Sequence, residues 1–233
     1  MKTVLILFNF LLLFVNLSYA SQTTLLIARH GETDWNRQHL VQGASNRPLN
    51  ETGKAQAKSL AAKLKGVYPE VAAIYSSDLL RAYETALPCA EKYGLLVRCS
   101  SDLQERDFGL AEGMKIIDVK ARYGKAAHEL DRLYPLREER WNYVAVPGAE
   151  TLNHVKQRMW KKLVEICEQH PDQTVAIFSH GRAMKVFLAT VSRCEMSAFL
   201  IPNCAFVRVD FDSSQSAPFS IVPVSATYEP IRK

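Results

Sequence analysis

Short apolar runs alternate with longer stretches of helical spacing along most of the chain. Residues 24–28 are apolar or β-branched and predict a buried strand that stops at Arg29-His30-Gly31. Asn50 and Thr52 offer caps for a helix through Leu64, with alanines and leucines on one face and Gly66 as its stop. Residues 71–75 predict a second strand, closed by Ser76-Ser77-Asp78. A helix follows from Leu79 towards Tyr93, and Pro88 predicts a kink or split within it. Residues 95–99 predict a third strand. Thr151 caps a helix that His170-Pro171 ends, and residues 174–178 form the clearest buried strand, stopping at Ser179-His180-Gly181. A helix over 183–191 and closing strands over 205–211 and 219–224 complete the pattern. This alternation predicts a three-layer α/β/α fold with a mostly parallel sheet. Residues 105–147, interrupted by Gly109, Gly113, Gly124 and Pro135, break the pattern and predict an excursion that caps the site.

Residues 1–20 stand apart. Lys2 precedes an apolar run over 4–15 broken only by Asn9, and Ser18-Tyr19-Ala20 has the small residues of a cleavage site, the layout of a secretory signal peptide. The run is shorter than the about 20 apolar residues of a spanning helix. The expectation is therefore cleavage without stable membrane insertion. Residues 21–233 would remain as one exported domain, periplasmic or secreted. With 48% hydrophobic and 23% charged residues, the 233-residue chain has the balance of a folded protein and not of a disordered or fibrous one. The net charge of +5 is spread along the chain and suits a small anionic substrate. No basic run with interleaved aromatics points to nucleic acid. An oxidising compartment would allow one or two disulfides among Cys89, Cys99, Cys167, Cys194 and Cys204, with at least one thiol left over. Their spacing fits no zinc pattern. Oligomeric state is not legible.

Two strand ends carry the candidate chemistry. His30 and His180 each follow a predicted strand and each precede a glycine that lets backbone approach closely. In parallel α/β sheets, ligands bind beyond the carboxyl ends of strands. Arg29 adjoins His30, and Arg81 lies near a helix start, where free N–H groups attract anions. A phosphoryl group needs donors for its peripheral oxygens, and guanidinium supplies planar ones that stay charged. A neutral imidazole attacks phosphorus and splits hydrolysis into two easier steps. Glu105, after the third strand, offers a proton for the leaving oxygen, with Asp102, Asp107 and Glu112 as rival acids nearby. His39, His128, His154 and His170 lack the strand-end glycine and read as surface or loop residues. Trp35 reads as packing, and Glu150 as either a helix-start charge or a pocket residue.

The motifs occur as ordered blocks: residues 26–36 (LIARHGETDWN), 41–53 (VQGASNRPLNETG), 75–86 (YSSDLLRAYETA), 103–109 (LQERDFG) with Glu112-Gly113, 147–151 (PGAET) and 178–181 (FSHG). Together they resemble the histidine phosphatase superfamily in its phosphoglycerate-mutase-like branch. The resemblance implies His30 as a nucleophile that becomes phosphohistidine. It implies Arg29, Arg81 and His180 as phosphoryl-binding residues, and Glu105 as acid and then base. Asn36, Gln42, Thr33 and Gly181 would be further pocket members. It implies no metal and no cofactor. Asn46-Arg47 stands where the family often has an acid, and Gln104 replaces a basic residue. The short interval from Glu105 to His180 and the export leader favour a phosphomonoesterase acting on small phosphorylated substrates. A phosphoglycerate-mutase-type phosphotransferase and a weakly catalytic phosphate- or phosphoprotein-binding module are the alternatives. Selectivity is expected from residues 105–147, with Arg122, Lys125, Arg132, Arg137 and Arg140 beside Tyr123, Tyr134, Trp141 and Tyr143.

Overall fold

The structure is a computed structural model that describes residues 21–129 and 141–223. The leader expected over 1–20 lies outside the described residues, as does part of the 105–147 excursion. The elements in chain order are β1 (Gln22–Arg29), α1 (Asp34–Arg37), α2 (Glu51–Val67), β2 (Ala73–Ser76), α3 (Leu80–Tyr93) and β3 (Val97–Cys99). They continue with α4 (Ile116–Glu129), α5 (Leu152–Gln169), β4 (Thr174–Ser179), α6 (Gly181–Ser192), β5 (Phe206–Asp212) and β6 (Phe219–Val222). The strands form one sheet in the order β3-β2-β4-β1-β5-β6. β1, β4, β2 and β3 run parallel, and β5 and β6 add an antiparallel edge.

Side chains alternate across the sheet, so each buried strand feeds two cores. Leu25, Ile27, Val175 and Ile177 point to one face and pack with Val155, Met159 and Leu163 of α5 and with Phe187 of α6. Leu26, Ala28, Ala176 and Phe178 point to the other and pack with Leu60 and Leu64 of α2 and with Ala86 and Cys89 of α3. The result is the three-layer α/β/α arrangement. No helix among the described residues is long and apolar enough to cross a membrane.

Side-chain caps set the starts of two long helices, since the first backbone N–H groups of a helix have no internal acceptor. Asn50 accepts from Gly53 N–H, and Thr151 accepts from His154 N–H. α2 passes Gly66 and ends at Val67. Of the kink or split expected at Pro88, the split does not occur, and α3 runs as one helix through it. Ala86, Cys89 and Ala90 are buried on both sides of the proline, so packing holds the helix where one backbone bond is missing. All five cysteines are free. Cys89 and Cys167 sit in opposite cores, which keeps them from pairing with each other. Of the surface and loop readings of His170, the loop one holds: it follows the end of α5 and is buried. It lies within hydrogen-bond distance of the Tyr75 hydroxyl and of Gln173. Trp141 also belongs to the core.

Replacing Phe178, fully buried in a central strand, with Ala is expected to cost about 3–5 kcal/mol in denaturant unfolding. Leu96→Ala, at a side chain 87% exposed, is expected to stay within about 0.5 kcal/mol.

Candidate active site

Parallel pairing of adjacent strands creates the site. β1 and β4 run side by side with Arg29 opposite Ser179, and His30 N–H donates to Ser179 C=O at 3.0 Å. The next residue of each strand is a histidine, so the His30 and His180 rings lie 5.2 Å apart between centroids. Gly31 lets the chain turn against the start of α2, since a Cβ there would meet Gly53 O at 2.7 Å. Gly181 serves the same need beside Arg29, whose Nε would stand 3.3 Å from an added Cβ.

His30 Nδ1 lies 2.7 Å from Gly31 O, so that nitrogen carries the proton and Nε2 keeps its lone pair. Burial, then the charges of Arg81 and Arg29, push the His30 pKa well below its ordinary value. His180 is shifted down in the same way, by burial first and then by Arg81 and His30. Arg29 donates to Ile201 O at 2.7 Å, and Arg81 donates to Ser45 O and Gly43 O at 2.8 and 2.7 Å. These bonds fix both guanidinium planes while leaving Nε of each buried and unpartnered, together with both ring nitrogens of His180. Buried donors without acceptors are rare in folded proteins. Their convergence beside His30 describes a receptor for an anion. Burial lowers the Arg81 pKa to about 10, and an anion there would oppose that shift.

A cavity of about 470 Å3 opens over this cluster. Of the candidate residues, Arg29, His30, Asn36, Gln42, Arg81, Glu105 and Gly181 line it, while His180 lies buried beneath. Thr33 caps α1, a short helix the sequence reading missed, and Thr33 N–H donates to Asn36 Oδ1. That backbone donor sets the amide orientation, with Oδ1 as the acceptor. Gln42 Oε1 accepts from Thr33 Oγ1 at 2.9 Å. Among the rival acids, Glu105 alone lines the cavity. Its carboxylate accepts from the backbone N–H groups of Arg106, Arg182 and Ala183 at 2.9, 3.0 and 2.9 Å, which seats it at the start of α6.

Several supporting residues were not legible beforehand. Glu112 accepts from Ala44 N–H, Ser45 N–H, Ser45 Oγ and Phe108 N–H, and so holds the loop whose carbonyls hold Arg81. Asn203 donates to His30 O at 2.9 Å, and Thr85 Oγ1 accepts from Gly31 N–H at 2.9 Å. Glu150 pairs with Arg158 in a two-pronged ion pair, and Arg158 also donates to the carbonyls of Asp102, Gln104 and Glu105. Glu150 is thus a brace for the Glu105 segment and not a cavity wall. The two departures from the family pattern are also absorbed locally. Asn46 accepts from Leu80 N–H at the start of α3, and Gln104 donates to Asp78. Arg47 stacks on Trp35 at 4.2 Å. Of the expected selectivity segment, Phe108, Ile116, Val119, Lys120, Ala145 and Val146 reach the cavity. Trp141 instead packs in the core, and Arg132, Tyr134, Arg137 and Arg140 lie outside the described residues. Arg182 and Lys185 of α6 also line the cavity, a contribution the sequence reading missed. No cluster of three metal-binding side chains occurs among the described residues.

The fold and the cavity define an α/β protein with a buried anion receptor beyond the carboxyl ends of its central strands. Residues 25–220 match the histidine phosphatase superfamily, branch 1, and the chain belongs to that superfamily. It is 31% identical over 191 residues to the uncharacterized phosphatase PhoE of Bacillus subtilis, covering 81% of this chain and 89% of that one. It is 33% identical over 184 residues to phosphoserine phosphatase 1 of Hydrogenobacter thermophilus, covering 77% of this chain and 81% of that one. Among solved structures, Bacillus stearothermophilus YhfR superposes with a TM-score of 0.75 at 26% identity, covering 90% of this chain and all (100%) of that one. Mycobacterial glucosyl-3-phosphoglycerate phosphatase shares the fold, with a TM-score of 0.76 at 23% identity, covering 87% and 99%.

The histidine shifts carry a pH signature. A histidine whose folded pKa lies below its unfolded value of about 6.5 takes up protons on unfolding, so stability falls as pH drops below that value. His30 and His180 both have this sign. Urea unfolding between pH 8 and 5 is expected to show stability falling with acid, and His30→Ala is expected to flatten the slope. A slope unchanged in His30→Ala would remove His30 as a contributor.

Proposed function

We propose that the protein is an exported phosphomonoesterase that works through a phosphohistidine on His30. One observation supports this reading most strongly: the proton-free Nε2 of a neutral, buried imidazole sits among buried guanidinium and imidazole donors that have no acceptor. Arg29, Arg81 and His180, with Asn36 and Gln42, hold the peripheral oxygens of the substrate phosphoryl group. His30 Nε2 attacks phosphorus, a P–N bond forms, and the P–O ester bond breaks. Glu105 gives its proton to the leaving alcohol oxygen. Water then attacks the phosphohistidine, Glu105 takes the water's proton, and the P–N bond breaks to release phosphate and restore His30. Positioning and charge stabilisation carry most of such a phosphoryl transfer. The same anchored donors that bind the ground state are already aimed where transition-state charge builds. The phosphatase names of PhoE and of phosphoserine phosphatase 1 support hydrolysis. The signal-peptide layout of residues 1–20 supports export.

His30→Ala is expected to abolish release of phosphate from a chromogenic phosphomonoester, with the fold verified by its melting curve. Retained turnover would overturn the nucleophile. Glu105→Gln is expected to slow alkyl phosphates by about 100-fold or more and aryl phosphates much less, because good leaving groups need little protonation. Equal losses on both substrate types would remove Glu105 as the acid.

A further inference from the structure

Asn36 lines the cavity, and an amide there suits a phosphoryl group in one orientation only. Its NH2 group donates to anionic oxygens, whereas its carbonyl oxygen repels them. The groups around Oδ1 decide between the two. Thr33 N–H and Asn203 Nδ2 approach it at 3.2 and 3.3 Å, and Thr33 Oγ1 lies at 3.2 Å. The Thr33 hydroxyl enforces nothing, because it rotates to suit its neighbours and also meets Gln42 Oε1. A backbone N–H and a side-chain NH2 only donate, so these two set the orientation of the Asn36 amide. Both contacts lie at the long end of the hydrogen-bond range, so neither holds the amide firmly by itself.

Asn203 is in turn held by the backbone of His30. β1 and β5 pair antiparallel with Ala28 opposite Phe206. Just beyond that pair, Arg29 N–H donates to Ala205 O at 2.9 Å, and Cys204 N–H donates to Arg29 O at 3.1 Å. Cys204 has a φ of 57°, a left-handed conformation uncommon outside glycine, and Asn203 stands at this turn. Asn203 Nδ2 donates to His30 O at 2.9 Å. A carbonyl oxygen accepts and never donates, so the Asn203 amide cannot turn over without setting its own oxygen against His30 O. Its two N–H bonds thus serve two acceptors, His30 O and Asn36 Oδ1. Sheet register fixes the first contact, and the second passes that order on to the cavity wall.

We infer that Asn203 is a positioning residue for Asn36, holding the amide with its oxygen turned away from the phosphoryl group and its NH2 group towards it. This rests on the reading of the cavity as a phosphatase site. Asn203 touches no reacting atom and acts through Asn36.

Calorimetry with inorganic phosphate on the purified protein tests this through a double-mutant cycle. Asn36→Ala is expected to weaken phosphate binding about tenfold, the size of one hydrogen bond to a charged group. Asn203→Leu, similar in size and uncharged, is expected to weaken it about threefold or more by freeing the Asn36 amide. The double variant is expected to match Asn36→Ala within about twofold, because a residue that acts through Asn36 has nothing left to act on. Asn203→Ser, smaller and polar, repeats the cycle if leucine disturbs the melting curve. Unchanged phosphate binding in the Asn203 variant, or a double variant weaker than Asn36→Ala by more than that margin, would overturn the positioning role. Hydrolysis of a chromogenic phosphomonoester by the unaltered protein reports on the phosphatase reading separately. Phosphate bound without turnover overturns that reading alone, additive losses overturn the role of Asn203 alone, and a protein that binds no phosphate overturns both.

Discussion

Arg29, His30, Arg81 and His180 are brought together where two adjacent parallel strands end, and like charges so placed repel strongly in a poorly polarisable interior. The fold resolves the conflict in two ways. The histidines stay neutral, held there by burial and by the arginines themselves. The arginines stay in place because backbone carbonyls of Ile201, Ser45 and Gly43 take some of their donors. What is left over, two Nε groups and one N–H of the His180 ring, is a set of donors suited to an incoming anion. In the proposed mechanism binding and catalysis share one cause, because the burial and the arginines that would hold a phosphoryl group are what lower the His30 pKa.

The supporting shell follows from that constraint. Glu112 bears no relation to the reacting atoms, yet it gathers four donors from two loops and so fixes the carbonyls that fix Arg81. Arg158 does the equivalent for Glu105, gripping three consecutive-region carbonyls while Glu150 neutralises it. Arg29, Arg81 and the Glu105 segment are each held by a partner distant in sequence. Disturbing Glu112 or Glu150 would be felt at Arg81 or Glu105, because close-packed interiors transmit displacement.

Residues that owe their place to strand order were legible. Arg29, His30 and His180 lie at strand ends, and burial of both faces of β1 and β4 follows from the apolar runs themselves. Asn36, Arg81 and Glu105 were legible through their motifs. Residues whose role depends on which loop lands beside them were not. Asn203, Lys185 and Arg182 carry no local signal that they reach the site. Pro88 misled as to a split because local propensity argues for one, while burial of its neighbours on both sides overrides it. The burial of His170 was not legible because its partners, Tyr75 and Gln173, come together only in the folded sheet. Glu150 was read as undecided between two roles, and only the Arg158 pair decides it.

The central claim is covalent bond formation at His30 Nε2, and rapid acid-free quenching during turnover tests it most directly. Peptide mapping by mass spectrometry should find a phosphoryl group on the peptide containing His30, stable in base and lost in acid, with none in the His30→Ala protein. Phosphate transferred to water with no modified His30 at any time point, in a protein that turns over normally, would contradict the account.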